Sequence, residues 1–358
     1  MSVDANISRT ITLCRFPLIA VVVMLHSGAV YSVVFFGGGD FAHFFSEIFT
    51  RVAVPLFFCI SGYLLFNNFS IRAYPQKIKK RIKTLLVPYL FWNLVFIATF
   101  GFLQYLSLAN VDRKPIAEWS ANDFLWSFWD VRHIQGYESD SGGSPFHSHL
   151  WFLRDLFMMA LCSPLFYYLL KSLRSIVVIV AFTGWFFLPF DLFYFMKNES
   201  IFFFVLGGYL QLYSYNVLNS YSTKRTKPIW GVATISILSL VLFVMLDNMM
   251  WGHYLKKVYI LSGCFVFFVL MSFIRNERTC RILSELSDST FFVYGCHGLI
   301  VAVLSKLLLS YISGNAFIVS LSFVLTWIIA IVVSLLLYYL VKRFMPLVLY
   351  LAGGKAGR

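Results

Sequence analysis

Long apolar stretches separated by short polar segments run through almost the whole chain. Because about 20 apolar helical residues cross the roughly 30 Å hydrocarbon core of a membrane, each such stretch predicts a transmembrane helix. The predicted spans are 10–31, 43–66, 84–106, 149–170, 173–192, 200–215, 228–247, 258–274, 288–309 and 315–341. The sixth is short, and the fifth is interrupted at Pro189. The pattern predicts an all-α, polytopic membrane bundle of about ten transmembrane helices.

The composition excludes a soluble globular protein. Of the 358 residues, 59% are hydrophobic and only 13% are charged, against about 45–50% and 25% in an ordinary soluble domain. The chain contains 40 Phe, 20 Tyr and 9 Trp, and its mean hydropathy is +0.77. One water-soluble core cannot bury this much apolar surface, so lipid must cover most of it.

The net charge of +13 is explained by membrane topology. An even number of spans puts both termini on one side. If that side is the cytoplasm, 19 of the 29 Lys and Arg residues fall in cytoplasmic segments or helix ends, six fall outside and four lie within spans. Positively charged residues favour cytoplasmic loops. We therefore predict cytoplasmic termini, membrane lipid as a partner and no nucleic-acid partner.

A single membrane domain, residues 1–345, is predicted, with a short cytoplasmic tail, 346–358. Only the segment 107–148 is long and polar, and the charge balance places it on the extracytoplasmic side. Within it, Ser120 is a candidate N-cap for a short helix, WSANDFLWSFWD, whose aromatic residues could lie along the membrane surface.

The cysteines and the N-terminus carry no special signal. The six cysteines lack CxxC or metal-ligand spacing, so we predict neither a disulfide framework nor a bound metal. No cationic segment and no small-residue cleavage site precede the first apolar run. We therefore expect that run to be retained as a membrane helix.

Ionisable residues in the first predicted span are candidates for function, because a charge inside the membrane is costly. Arg15 and His26 are eleven positions apart, which places them on one helix face with a rise of about 16 Å between them. The simpler interpretation is that Arg15 extends to the lipid headgroups and His26 bonds a neighbouring helix. A shared face favours a joint role for the two residues.

Three other predicted spans contribute polar side chains, namely Arg51, Ser61, Tyr63, Arg154, Asp155 and His297. Arg154 and Asp155 are adjacent and point about 100° apart, so we expect them to pair with other helices more readily than with each other. Polar groups from four helices predict a shared wet cavity inside the bundle.

A basic segment, RAYPQKIKKRIK at 72–83, precedes the third span. It could serve only topology and anionic lipid. Alternatively, together with Arg15, it could bind a phosphate-rich cytosolic cofactor, because guanidinium groups grip a diphosphate well.

Several motifs together resemble a known family. They are R-x10-H from Arg15 to His26, RVAVPLFFCISGYLL at 51–65, KRIKTLLVPYLFWN at 80–93, WFLRDL at 151–156, FFFVLGGYL at 202–210 and SDSTFFVYGCHG at 287–298. In this order, over about residues 9–340, the chain resembles the acyltransferase 3 family of integral-membrane acyltransferases. It is similar to the stand-alone form, without a fused esterase-like domain.

The resemblance implies ten core helices in a bacterial cytoplasmic (inner) membrane. It also implies a cytosolic acyl-CoA donor, usually acetyl-CoA, and a sugar hydroxyl of a cell-envelope or exported glycan as acceptor. The family's Arg and His fall on Arg15 and His26, its SGY motif on residues 61–63, and its late His on His297. A lipid-linked saccharide acceptor and glycan-assembly partner proteins fit the same context.

The residues suggest a division of roles. His26 is the candidate base, because an imidazole titrates near neutrality. Arg15 is the second predicted catalytic residue, and it also belongs to the predicted donor site, together with Lys80, Arg81 and Asn93. Arg51 or Arg154 could stabilise the oxyanion, and the remaining supporting residues are Asp155, His297, Ser61 and Tyr63. The sequence leaves open whether His26 also carries the acyl group, and whether that group is acetyl or succinyl.

Two other classes of function explain a polar cavity in a bundle. A transporter or flippase for a glycan or lipid-linked intermediate would line its path with the same charges. A noncatalytic membrane scaffold would leave His26 replaceable. The dense cationic segment beside Arg15 and the lack of repeated halves with broken helices favour the acyltransferase.

Overall fold

The computed structural model describes residues 4–34, 40–108, 113–137, 143–193, 196–213, 227–246, 250–309 and 315–354. These residues are helical or irregular, without a β-strand. The helices in chain order are α1 (Ala5–Val34), α2 (Phe41–Phe66), α3 (Tyr74–Tyr105), α4 (Ala121–Ser127), α5 (Trp151–Leu161), α6 (Ser163–Leu173), α7 (Ser175–Phe187), α8 (Asn198–Leu212), α9 (Lys227–Leu246), α10 (Met250–Ser272), α11 (Glu277–Ser287), α12 (Thr290–Leu309), α13 (Ala316–Phe344) and α14 (Pro346–Leu351).

Each predicted apolar span corresponds to helical structure, which confirms the all-α fold. Within the described part of the chain, seven helices are long and apolar enough to cross a membrane, namely α1, α2, α3, α9, α10, α12 and α13. The bent pair α5 and α6 gives an eighth if it counts as one span. Helices α7 and α8 have only 13 and 15 residues. The total of ten crossings and the cytoplasmic side of the termini stay predictions.

The fourth predicted span is not one continuous helix. Helices α5 and α6 meet at Cys162 with a bend of 61°. Pro164, in the first turn of α6, lacks an N–H, and its ring clashes with a continuing helix. The break could therefore have been predicted from the proline. The interruption expected at Pro189 is confirmed, because α7 ends at Phe187.

Helices α2 and α8 pack with their backbones nearly in contact. A Cβ atom at Gly62 would overlap the carbonyl of Phe204, and one at Gly207 would overlap the carbonyl of Cys59. Small residues allow this close approach between membrane helices. Gly62, the middle residue of the SGY motif, therefore has a packing role.

The described part of the long polar segment 107–148 contains a small folded unit of its own. Ser120 caps α4, and its hydroxyl accepts a bond from the Asp123 N–H, which confirms the predicted cap. Lys114 Nζ lies 2.7 Å from Asp123 Oδ2. Hydrogen bonds from Lys114 and Ser120 lower the pKa of Asp123 to about 2. The position of α4 along the membrane surface stays a prediction.

Helix α1 lies at the centre of the bundle. It contacts α2, α10, α11, α12 and α13. Its apolar side chains Cys14, Leu18 and Val23 are completely buried, while Arg15 and His26 are partly buried. The helix that carries the predicted catalytic pair is therefore surrounded by other helices.

Candidate active site

Four histidines from three parts of the chain meet near one end of α1. The His26 and His149 ring centroids are 3.8 Å apart, at an angle of 88°. The His297 ring, from α12, lies 5.3 Å from that of His26 and 5.2 Å from that of His149. The ring of His147 lies 5.4 Å from that of His149. We call these four residues the histidine cluster.

The protonation of His297 follows from its hydrogen bonds. Its Nδ1 lies 2.6 Å from the carbonyl oxygen of Tyr294 and 3.2 Å from that of Val293. A carbonyl oxygen only accepts, so Nδ1 carries the proton and Nε2 keeps its lone pair. Nε2 is buried and has no hydrogen-bond partner among the residues that the structure describes.

The His147 ring is held by a hydrogen bond and by stacking on an aromatic ring. Its Nε2 donates to the carbonyl of Gly295 at 3.0 Å, and its ring stacks on Phe96. Its backbone N–H donates to Asn93 Oδ1 at 3.3 Å. Burial lowers the pKa of His147 to about 3. This residue is therefore uncharged at neutral pH.

Helix α12 also determines where His149 lies. The Tyr294 hydroxyl donates to the backbone carbonyl of His149. A Cβ atom at Gly298 would lie 2.9 Å from His149 Nδ1, so a side chain there would push this ring away. In the motif YGCHG, the small residues Cys296 and Gly298 flank His297. The absence of a side chain at Gly298 makes room for the His149 ring.

A basic pair lies beside the N-terminal half of α1. Arg15 and Arg81 are within Coulombic range of each other, and Asp288 is within range of Arg15. Lys80, beside Arg81, is exposed. The structure thus brings together the cations predicted for the donor. A helical rise of about 16 Å separates Arg15 from His26.

Asn93 does not belong with these cations. It lies in α3 about 18 Å along the axis from Arg81. Its amide group bonds the backbone of His147 and the carbonyl of Tyr89. Asn93 is therefore separated from the other predicted donor residues, and its role in binding the donor stays a prediction. The twelve helical residues from Arg81 to Asn93 place Asn93 beside the histidine cluster.

Arg51 is close to the histidine cluster. It lies within Coulombic range of both His26 and Glu199. Glu199 accepts a hydrogen bond from Trp185 Nε1 at 3.3 Å. The sequence interpretation did not include Glu199, although an acidic residue directly before an apolar span was a usable signal. Arg51 is thus placed to act near His26 with its charge partly balanced.

Arg154 and Asp155 pair with each other, so the expectation that each pairs with another helix was wrong. Arg154 Nη2 lies 3.0 Å from Asp155 Oδ1, and Arg154 Nη1 donates to the carbonyl of Trp129 at 2.6 Å. Both side chains are buried. The flexible arginine folds back because the apolar surroundings make an unpaired charge costly. Arg154 and Asp155, together with Lys197, line a polar cleft of about 230 Å³.

The SGY motif lies elsewhere. Tyr63 lines an apolar cavity of about 550 Å³ between α1, α2, α7, α8, α9 and α10. Ser61 is half-buried in α2. The supporting roles predicted for these two residues receive no geometric support from the cavity, whose lining is almost entirely apolar.

The sequence interpretation missed His147 and His149. Both belong to HSHL at 147–150, just before α5. Two histidines entering a membrane span at the depth expected for His26 were an available signal. The same cluster contains a set of potential metal ligands, because one ring nitrogen each from His26, His149 and His297 lies within 4.8 Å of the others.

Comparisons with known proteins agree with this architecture. A family profile described as an acyltransferase domain, of the acyltransferase 3 family, matches residues 9–343. The chain is 25% identical over 304 residues to the succinoglycan biosynthesis protein ExoH of Rhizobium meliloti (strain 1021), covering 82% of this chain and 78% of that protein. No solved structure shows a significant match. The chain therefore belongs to the acyltransferase 3 family of membrane acyltransferases.

Proposed function

We propose that this protein is a membrane O-acyltransferase that moves an acetyl group from cytosolic acetyl-CoA to a sugar hydroxyl of a cell-surface or exported glycan. The observation that carries the proposal is the arrangement along α1. A basic pair, Arg15 and Arg81, lies beside one part of α1, and the histidine cluster lies about 16 Å further along the same helix. One helix thereby connects a site suited to a phosphate-bearing donor with a site suited to proton transfer.

The basic end is suited to the donor. Two guanidinium groups near each other repel, so an anion between them is favourable. The planar fork of Arg binds phosphate oxygens in pairs. The diphosphate of CoA is such an anion, and its extended arm can carry the thioester along α1 toward His26.

The histidine end is suited to the acceptor. The transfer forms an ester bond between the acyl carbon and the sugar oxygen, and it breaks the thioester C–S bond. His26 takes the hydroxyl proton and passes it to the departing CoA thiolate, so that free CoA leaves as a thiol. Excluding water from the cluster when both substrates are bound would protect the thioester from hydrolysis.

Arg51 is the better candidate for stabilising the oxyanion. It lies within Coulombic range of His26. The bonds from Arg154 to Asp155 and to the carbonyl of Trp129 hold its guanidinium in the polar cleft beside α5. A positive group close to the developing charge contributes most where water is excluded.

A glycan acceptor is supported by the similarity to a protein named for succinoglycan biosynthesis. The polar cleft beside α5 is lined by charged side chains that can bond sugar hydroxyls, including Arg154, Asp155 and Lys197. If the predicted topology holds, the cleft faces the extracytoplasmic side of a bacterial inner membrane, where an exported or lipid-linked saccharide is accessible.

Donor-dependent release of CoA by the purified protein tests the proposal. The full-length chain in detergent is mixed with acetyl-CoA and with exopolysaccharide prepared from cells that lack this protein. We expect CoA release and an acetylated glycan only when both substrates are present. Succinyl-CoA in place of acetyl-CoA tests the acyl group. Glycan export that does not depend on the acyl donor, together with no CoA release, would favour a transporter instead.

A further inference from the structure

The histidine cluster contains more lone pairs than proton transfer requires. One lone pair, on His26, suffices for the proposed function. His297 Nε2 and His149 Nδ1 are also buried and have no hydrogen-bond partner among the described residues. A buried polar atom left without a partner costs about 1–3 kcal/mol. These nitrogens therefore favour an occupant that accepts electron pairs from several directions at once.

Two of the three distances between the ring centroids match those of a three-histidine metal site. Zinc binds imidazole nitrogens at about 2.0–2.1 Å in tetrahedral geometry, which separates neighbouring ring centroids by about 5 Å. The centroids of His26 and His149 lie 5.3 and 5.2 Å from that of His297. The 3.8 Å pair, His26 and His149, has to open by about 1 Å. The three ring nitrogens, which lie within 4.8 Å of one another, have to turn toward the spacing of roughly 3.4 Å that this geometry sets.

The surroundings of His297 match those of a metal ligand. Histidines that bind metals usually donate their second ring N–H to a carbonyl or carboxylate, which fixes the ring and its tautomer. His297 does this with the carbonyl of Tyr294 at 2.6 Å. His26 and His149 are only half-buried, which leaves a path by which an ion can enter.

We propose that His26, His149 and His297 form a binding site for one divalent transition-metal ion of the zinc class. Three neutral imidazoles suit Zn²⁺, Co²⁺ and Cu²⁺, whereas Mg²⁺ requires oxygen ligands. A bound ion takes up the lone pair of His26, so it blocks proton transfer and inhibits acyl transfer. This consequence rests on the proposed function, but the binding of the ion does not.

Metal binding is measured directly on the full-length protein in detergent after treatment with a chelator. We expect titration calorimetry and metal analysis after gel filtration to give one Zn²⁺ per chain, competition by Co²⁺, and no binding of Mg²⁺. His297→Asn keeps a donor for the Tyr294 carbonyl but removes the Nε2 ligand atom, and should weaken Zn²⁺ binding about 100-fold. His149→Ala should do the same.

A matched control keeps the test specific. His133 is an exposed ring stacked on Trp126, outside the cluster, so His133→Ala should bind Zn²⁺ as the wild type does. Absence of Zn²⁺ binding in the wild type would overturn the site. Zn²⁺ affinity equal to that of the wild type in His297→Asn and His149→Ala would overturn it as well. Tight binding without any effect on acyl transfer would keep the site and contradict the role of His26 as base.

Discussion

The imidazole ring of His26 meets that of His149 at 88°, with 3.8 Å between their centroids. His26 belongs to the central helix α1, whereas His149 lies in the short turn just before α5. The predicted base is therefore positioned by a loop as well as by the bundle. The hydroxyl of Tyr294 bonds the His149 backbone, so α12 supports this arrangement.

Replacing His26 with Ala should abolish acyl transfer while the protein stays folded in the membrane. A general base contributes about 10² to 10⁴ in rate. The measurement is CoA release in the presence of glycan, with gel filtration of the detergent-solubilised protein as a check of folding. His133→Ala is the control and should retain full activity. Wild-type activity in His26→Ala would disprove the assignment of the base.

Replacing Arg15 with Ala should weaken CoA binding, because Arg15 and Arg81 together form the basic pair. Arg15→Lys should rescue poorly, since an ammonium group cannot form the paired bonds of a guanidinium. CoA affinity is measured at fixed salt, so that screening is constant. Arg72→Ala, at an exposed position of the basic segment, is the control for loss of charge alone. Unchanged affinity with lost activity would move Arg15 from donor binding to acyl-carbonyl activation.

Gly62→Ala should destabilise the bundle, because the new methyl group would overlap the carbonyl of Phe204. Forcing such a group into a packed interface costs about 1–3 kcal/mol in the free energy of unfolding. Gly231→Ala is a matched control, since nothing lies within 4 Å of that Cβ. It should be neutral or stabilising, because Ala is favoured over Gly in a helix by about 1 kcal/mol. Thermal melting in detergent compares the two, and equal melting temperatures would contradict the packing role.

Asp155→Leu should destabilise the protein by about 3–5 kcal/mol, because it leaves Arg154 as a buried, unpaired charge. Combining it with Arg154→Met should restore most of the stability. If Arg154 only supports the fold, this double variant keeps acyl transfer. Arg51→Met, in contrast, should lose about 10² to 10³ in rate as the oxyanion partner. Because both residues also line the cleft proposed for the glycan, a raised KM for glycan alone would indicate lost glycan binding, whereas a lowered kcat in the stable double variant would return the oxyanion role to Arg154.

Accessible cysteines should report the predicted topology. In a background without native thiols, Gln76→Cys should react with a membrane-impermeant reagent only from the cytoplasm. Glu118→Cys should react only from outside. Both positions are exposed, so reactivity depends on the side of the membrane and not on burial. Labelling of both positions from the same side would overturn the ten-span topology.

Local physical chemistry made much of the fold predictable from sequence. A run of apolar residues must form helices in lipid, because every backbone polar group needs a partner within the segment. The cap at Ser120 and the helix end before Pro189 follow equally local rules, and both are observed. The pairing of Arg15 with His26 on one helix also required only the α-helical period.

The tertiary structure decided which distant residues share one site. His149 and His297 join His26 only because α1, α5 and α12 pack around a common point, and no local period encodes that. The same packing sends Asn93 to the histidines and lets Arg154 close on Asp155. Helix formation depends on neighbours along the chain, so sequence specifies it. The site depends on side-chain packing between helices far apart in the chain, so only the folded bundle determines it.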